Sequence, residues 1–561
     1  MTADPDSIVL GSPDFTDTPW ADCARQHGAL AAWRTAFAQA GTQAALRVKG
    51  DFAVALREPS GRVFMAIDRF AVRTLCHRQA GTELRFAARA DDLAGADAAL
   101  DPQAIYDYLY FHAIPSPRTI FRGVFRLPPG HSALFENGRL TITPYWVPEF
   151  TEEAQPSFGA LRDEFRDLLR QAVRRQIASG NTACFLSGGT DSSSVAGLMA
   201  EVTGQPPASY SIGFAAEGYD EMEYARIAAR RFKTEHHEYY VTPDDLVQGI
   251  PEVAAGLDQP FGNSSVLPAY VCAQKARQDG VTRLLAGDGG DELFGGNTRY
   301  AKQRVFDWYG SVPGALRSGL LEPAFALHFI ANAPLLKKGS SYIEQAKVPM
   351  PDRMQMYNLL LRLGPQEVLT PEFLAQVDQG DPARQQREVW AAAKARSLVD
   401  RTLAYDWRYT LAESDLPKVR SATQLAGVEA AFPLLDDDLL AFSMRLKSDY
   451  KLRGLKLRWF FKEALRGFLP DEIIAKKKHG FGLPFGVWVN QHAGLRKLAT
   501  DTLEGLRNRG IVRPEFLDAL VKTHLPAHPG YYGEMVWILI MLEQWLQSRT
   551  SSGLSQNQRC G

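Results

Sequence analysis

Residues 186–193 read LSGGTDSS, and these residue types allow only a short menu of chemistry. Gly188 and Gly189 remove side chains, so backbone N–H groups can converge on an anion. Ser192, Ser193 and Ser194 open the apolar run Val195-Ala196-Gly197-Leu198-Met199, and a helix there would add its N-terminal partial positive charge. Asp191 is the discordant residue, because a bare carboxylate repels phosphate. A divalent cation such as Mg²⁺ lying between the two resolves the conflict. A Walker-type loop would carry Gly-Lys-Ser/Thr, and no lysine stands here. The plainer alternative is a Gly-rich turn with a capping Asp or Ser. A second Gly-rich acidic stretch, LAGDGGDELFGG at 285–296, offers Asp291 as a partner for Asp191 in holding the ion.

The elements that must position these loops follow from the rhythm of the chain. From about 158 onward, helical and strand patterns alternate: helix FGALRDEFRDLLRQAVRRQI, strand TACFL, helix SSVAGLMAEV, strand ASYSIGF and helix EMEYARIAARRF. Strand HEYYV, helix VLPAYVCAQKARQ and strand TRLLAGD complete the series. Parallel strands joined by helices predict a doubly wound sheet with ligands at the carboxyl ends of the strands. Both Gly-rich loops sit at such ends, and together they predict a nucleotide site. Residues from about 44 to 147 read as β-rich, with alternation and Ser-Gly, Ala-Gly and Asn-Gly turns. The polar, Pro-bearing stretch VPEFTEEAQPS at 147–157 reads as a linker. Beyond Tyr300 the pattern is mostly helical.

Composition excludes several classes. A chain of 561 residues exceeds one ordinary core, so two or more domains are expected. A net charge of −1 with interspersed signs argues against a nucleic-acid partner. There is no apolar run of about 18 residues and no basic-then-apolar start, so no membrane span or signal peptide is expected. The five cysteines lack CxxC spacing, which argues against zinc or disulfides and fits a reducing cytoplasm. His236 and His237 would point to opposite faces of a strand, so they make a poor metal pair. Lys476 and Lys477 read as a solvated basic patch.

LSGGTDSS, YSIGFAAEGYDEMEYARIAARRF, DQPFGNSSVLPAY and LAGDGGDELFGGNTRY together resemble the synthetase domain of the asparagine synthetases. The likeness runs on through PLLDDDLLAFSMRLKSDYKLRG and KEALRGFLPDEIIAKKKHGFGLPFG. Earlier, GDFAVALRE, IDRFAVRTL and TIFRGVFRLPPGHSALFENGRLTITPYW look like the later part of that family's glutaminase domain, so the likeness spans about 43 to 546. The resemblance implies an α/β chain of two domains. Residues 1–148 would be a β-rich, Ntn-hydrolase-like remnant of a class II glutaminase. Residues 149–561 would be a doubly wound PP-loop ATP pyrophosphatase domain with a helical C-terminal part.

The activity implied is an ATP-dependent, AMP- and pyrophosphate-forming amide ligase. Carried over by position, Leu186, Ile212, Ala286 and Gly287 would contact the adenosine. Ser187, Gly188, Gly189, Asp191 and Ser192 would hold pyrophosphate and Mg²⁺, and Asp291 would bind the same metal. Asp288 matches the acid linked to forming and using the adenylate, and Lys478 matches a lysine that neutralises the transition state. Glu429 matches a position in the substrate region, a buried acid with a partner being its alternative reading.

The chain also departs from the family. Thr2 stands where a cysteine nucleophile is needed, and Gly28-Ala29-Leu30-Ala31 replaces the Ser-Asp-Thr-Glu that grips glutamine. Arg420 replaces a usual Asp, Ala431 a usual Arg, and Arg458 a common Lys. Losing the Arg at 431 weakens the case for aspartate, since a carboxylate favours a bidentate guanidinium. A ligase without glutaminase activity is therefore expected, acting on small-molecule or peptide acids and amines. Relatives built this way, the β-lactam synthetases and lasso-peptide cyclases, use an amine within the substrate, and ring closure stays open here. A non-catalytic nucleotide-binding regulator is the alternative from another class. A homodimer or a biosynthetic partner protein stays open.

Overall fold

The computed structural model describes residues 7–95, 98–152, 155–177, 180–311, 313, 316, 344–476 and 482–557. In the N-terminal part, FAVALR and VFMAI form strands whose side chains sort onto two faces by strict alternation. Phe52, Val54, Leu56, Phe64 and Ala66 bury against Trp20, Trp33 and Phe37. Ala53, Ala55, Val63, Met65 and Ile67 bury with Leu75, Leu84 and Leu127 on the other face. The sheet is antiparallel and runs β1 (Ser7–Gly11), β2 (Phe52–Arg57), β3 (Val63–Ile67), β4 (His131–Glu136) and β5 (Arg139–Pro144), each strand paired with the next. Asn137 and Gly138, with φ of +52° and +74°, make the tight turn between β4 and β5. Helices α1 (Thr18–His27) and α2 (Ala29–Ala40) lie ahead of β2 in sequence. Phe37 of α2 stacks on Phe64 with ring centroids 4.6 Å apart.

The stretch expected to be a linker is pinned. Phe150 donates its N–H to the Lys394 carbonyl at 2.9 Å and packs on Trp407. Ser157 then caps α3 (Phe158–Gln176), accepting from the Ala160 N–H. Leu161, Phe165, Leu169, Ala172 and Val173 form its buried stripe.

The parallel sheet contains β6 (Thr182–Phe185), β7 (Ala208–Phe214), β8 (Glu235–Val241), β9 (Arg283–Leu285) and β10 (Glu429–Ala431), in the order β8-β7-β6-β9-β10. Helices α4 (Thr190–Thr203), α5 (Met222–Phe232), α6 (Pro243–Gly256) and α7 (Val266–Gln278) fill the crossovers. The chain moves outward from β6 to β8 and then returns to β9 on the other side of β6. The strand order therefore reverses between β6 and β9, the place where doubly wound sheets bind ligands. The sequence reading has no counterpart for α6 or β10. Two prolines, Pro243 and Pro251, obscure the helical pattern of α6, although Thr242 and Asp245 build a full capping box at its start. Glu-Ala-Ala in β10 has little strand propensity and is extended because it pairs with β9.

Beyond the sheet the described residues are mostly helical, among them α8 (Leu416–Leu425), α9 (Trp459–Ala464) and α10 (Pro529–Asn557). Met535 to Leu542 of α10 are all buried. Tyr108 of the N-terminal part donates to the Ile538 carbonyl at 2.8 Å, tying that part to α10. Among the described residues no helix is long and apolar enough to cross a membrane.

Candidate active site

At the switch point the two Gly-rich loops touch. A Cβ at Gly287 would lie 2.7 Å from the Ser192 nitrogen, so only glycine lets the loop after β9 approach the start of α4. Ser192 folds back and accepts the Ser187 N–H at 3.2 Å, which fixes the turn of LSGGTDSS. Asp191 and Asp291 converge on one guanidinium. Arg458 Nη1 donates to Asp191 Oδ2 at 2.5 Å and to Asp291 Oδ1 at 2.9 Å, and Nη2 bonds the other Asp191 oxygen. A cavity of about 1300 Å³ opens from these loops. Leu186, Ser187, Gly189, Asp191, Ser192, Ile212, Gly287, Asp288 and Asp291 line it.

Three other expected residues are not among that lining. Gly188 stands behind the wall with φ of +68°, and a Cβ there would lie 2.3 Å from the Tyr224 carbonyl carbon. Its missing side chain makes room for the backbone of α5. Ala286 is buried under the cavity floor and donates its N–H to Ala431. Glu429 begins β10, at the end of the parallel sheet opposite the loops, so strand direction alone carries it away from the cavity. There it accepts from Arg283 Nη2 and Arg73 Nη2, both at 2.6 Å, and Arg73 also grips Asp51. Burial raises the Glu429 carboxyl, but its two arginine partners outweigh this and hold it below the usual range. Glu429 thus clamps the N-terminal part to the sheet edge. Lys478 lies outside the described residues. His236 bonds Ser211 while His237 stacks on Tyr210.

The cations facing the cavity are the part that sequence reasoning missed. Lys418 of α8 donates to Asp288 at 3.3 Å and to Asp415 at 3.2 Å. Burial pulls the Lys418 ammonium down, and the two acids more than offset that, leaving it raised. Burial raises the Asp288 carboxyl, against the pull of Lys418. Lys476, read from sequence as solvated, has a side chain only 9% exposed. It pairs with Glu221 at 3.1 Å and lies over the Tyr224 ring. Burial of its long stem, which the run KKK does not reveal, makes the difference. Lys462 donates to the Ile474 carbonyl at 2.7 Å, and burial with Arg458 nearby lowers its ammonium. Arg420, on the substrate side by position, instead donates to the Ala71 and Val72 carbonyls of the N-terminal part.

The donor set fits a nucleotide and a hard divalent cation. Leu186 and Ile212 give an apolar wall, Ser187 and Ser192 give hydroxyls, and the 14-residue helix α4 points its N-terminus at the same space. Asp191 and Asp291 bring carboxylate oxygens to a common point, flanked by Gly290 and Gly296, where a Cβ would strike those oxygens at 2.0 and 1.6 Å.

Comparison with known proteins agrees with this geometry. The asparagine synthase family matches residues 164–547, and a glutamine amidotransferase domain matches residues 33–146. The chain belongs to the asparagine synthase family. Membership implies ATP-dependent amide ligation and an ATP site. The chain is 22% identical over 508 residues to asparagine synthetase [glutamine-hydrolyzing] 1 of Bacillus subtilis (strain 168), covering 90% of this chain and 78% of the relative. It is 28% identical over 463 residues to a putative asparagine synthetase [glutamine-hydrolyzing] of Mycobacterium tuberculosis (strain ATCC 25618 / H37Rv), covering 80% and 69%. A putative asparagine synthetase [glutamine-hydrolyzing] 2 of Methanocaldococcus jannaschii is 32% identical over 289 residues, half of this chain and 56% of the relative.

Proposed function

We propose that this family member activates a carboxylate with ATP as an acyl-adenylate, releasing pyrophosphate, and passes the acyl group to an amine with release of AMP, without hydrolysing glutamine. One observation carries the reading. Two acids from separate loops share a single cationic point at the switch of the sheet, and Asp288 faces the same cavity on its own lysine.

The chemistry needs these parts. Attack of a carboxylate on the α-phosphorus gathers negative charge, and Mg²⁺ held by Asp191 and Asp291 would neutralise it. Ser187, Ser192 and the start of α4 would hold phosphate oxygens, while Leu186, Ile212 and the Gly287 backbone would bound the adenosine. Amine attack then leaves an ammonium that must shed a proton. Asp288, its proton affinity raised by burial, suits that task, and Lys418 keeps it ionised and oriented. Lys476, and Lys478 by family position, would stabilise the oxyanion.

Glutamine hydrolysis needs an acid for the substrate's α-ammonium. Gly28 to Ala31 instead cap and open α2, whose first turn holds no acid. The amidotransferase match begins at residue 33, past this point. A second reading, ring closure within one substrate, draws on Ala431 in place of an arginine. The cavity also exceeds the roughly 300–1000 Å³ usual for a single small ligand.

The test is incubation with ATP, Mg²⁺, a panel of acids, and ammonia or amines. AMP and pyrophosphate should form only with a true acid substrate and should vanish in Asp191→Asn. Glutamine added as sole nitrogen source should release no glutamate beyond a protein-free control. Glutamate release would restore glutaminase activity, and an AMP yield unaffected by Asp191→Asn would refute the site. A product one water lighter than a single substrate would select ring closure.

A further inference from the structure

We propose that Arg458 is an internal counter-cation that holds Asp191 and Asp291 together in the nucleotide-free protein, so that a divalent ion enters only with the nucleotide. This rests on the reading of the two acids as metal ligands.

Two half-buried carboxylates at one point repel each other, and a cation between them lets both stay ionised. Arg458, 4% exposed, supplies it. Its backbone seats it there, with φ of +53°, its N–H on the Gly295 carbonyl at 3.1 Å, and its own carbonyl accepting from Lys462. The guanidinium lies over the Phe461 ring, 3.9 Å from its centroid.

The fit is nevertheless incomplete. Nη1 carries two N–H groups but faces three acceptors, the third being Thr190 Oγ1 at 2.9 Å. Nε is buried and finds no acceptor among the described residues. Glu292, 6% exposed, adds a further negative charge beside the pair. The guanidinium is thus oversubscribed at Nη1 and unused at Nε, with the Lys462 ammonium also acting on both acids, and the same two carboxylates could ligate a divalent ion. Such an ion must displace the fork, and alone it would gain little over the arginine it replaces. When nucleotide arrives with it, the phosphate oxygens supply further ligands to the metal and a new partner for the displaced guanidinium. Metal and nucleotide binding are then coupled through Arg458, and the coupling is reciprocal.

The experiment measures Mn²⁺ binding by the loss of the free-ion electron paramagnetic resonance signal, with and without the non-hydrolysable analogue α,β-methylene-ATP. Wild type should bind Mn²⁺ weakly alone and tightly with the analogue, and Asp191→Asn should lose the tight binding. Arg458→Gln should bind Mn²⁺ alone about tenfold more tightly than wild type or better, the size of an ordinary coupling between sites. Arg458→Lys, a point charge that cannot fork across both acids, should fall between them. Circular dichroism reports folding, and if Arg458→Gln does not fold, Arg458→Lys is decisive. Nucleotide-free Mn²⁺ affinity no tighter than wild type, while the analogue-dependent site still requires Asp191, overturns the role of Arg458 alone. Tight analogue-dependent Mn²⁺ binding that survives Asp191→Asn overturns the metal reading and this proposal with it.

Discussion

Replacing Lys418 by methionine removes a charge and keeps the length of the side chain. Lys418 Nζ lies 3.3 Å from Asp288 Oδ1, and the two side chains keep 18% and 21% of their surface open to the cavity. At an effective dielectric of about 20 that separation corresponds to about 5 kcal/mol, and at the dielectric of water to about 1.3 kcal/mol. The open cavity puts the pair between these limits, so the Asp288 carboxyl should rise further when the ammonium goes. The sign follows from the role. A proton acceptor works ionised, Asp288 is already raised by burial, and loss of Lys418 raises it further. Amide formation at neutral pH should fall and recover as the pH is increased. The assay is a pH profile of amide formation for wild type, Lys418→Met and Lys418→Arg, with arginine restoring most of the wild-type profile. A rate lowered equally at every pH, with its acidic limb unmoved, would refute the tuning of Asp288 by Lys418.

Gly290→Ala places a methyl 2.0 Å from Asp191 Oδ1, and AMP formation should fall about a hundredfold or more, as for lost preorganised charge; near-wild-type turnover would show that the acids need not be held there. Glu429→Gln weakens the clamp to Arg73 and Arg283 and should lower the thermal midpoint while leaving AMP formation within about threefold, since breaking such a pair costs stability rather than transition-state binding; a hundredfold loss of rate at full stability would return Glu429 to the reaction. His77 is buried with no partner on either ring nitrogen among the described residues, and burial lowers it to about 4. An unfolded histidine takes a proton below about 6.5, so this contribution to stability is present above that pH and lost as pH falls toward 4, about 2 kcal/mol being gone by pH 5. In His77→Phe the gap between thermal midpoints at pH 7.5 and pH 5 should narrow, and an unchanged gap would reject the assignment.

Much of the fold is legible because its signals are local. Ser157 and the stripe Leu161-Phe165-Leu169 announce α3, Asn137-Gly138 announces a hairpin, and alternation in FAVALR marks a strand with two buried faces. The loops LSGGTDSS and LAGDGGDELFGG are legible for the same reason, and their nearness follows from the sheet order that the strand–helix alternation dictates. Gly188 shows the limit of a local reading. The glycine is required, yet by the Tyr224 backbone pressing on it from α5, a neighbour no motif names. Glu429 shows another, since a position carried over by resemblance says nothing about which end of a three-residue strand it occupies.

The cations were illegible for a deeper reason. A lysine or arginine taken alone belongs in water, and the default reading of KKK obeys that rule. Only tertiary structure reverses it. Lys418 arrives from α8, 130 positions from Asp288, and Arg458 comes from just ahead of α9, 267 positions from Asp191. The acids, by contrast, sit inside the loops whose glycines betray them. A phosphate-binding crevice therefore reveals its carboxylates through local grammar and hides the groups that balance them. Where two acids meet at such a switch point, keeping both ionised demands a cation beside them. Here that demand is met by Arg458, whose departure from the common lysine gives the pair a two-pronged partner in place of a point charge.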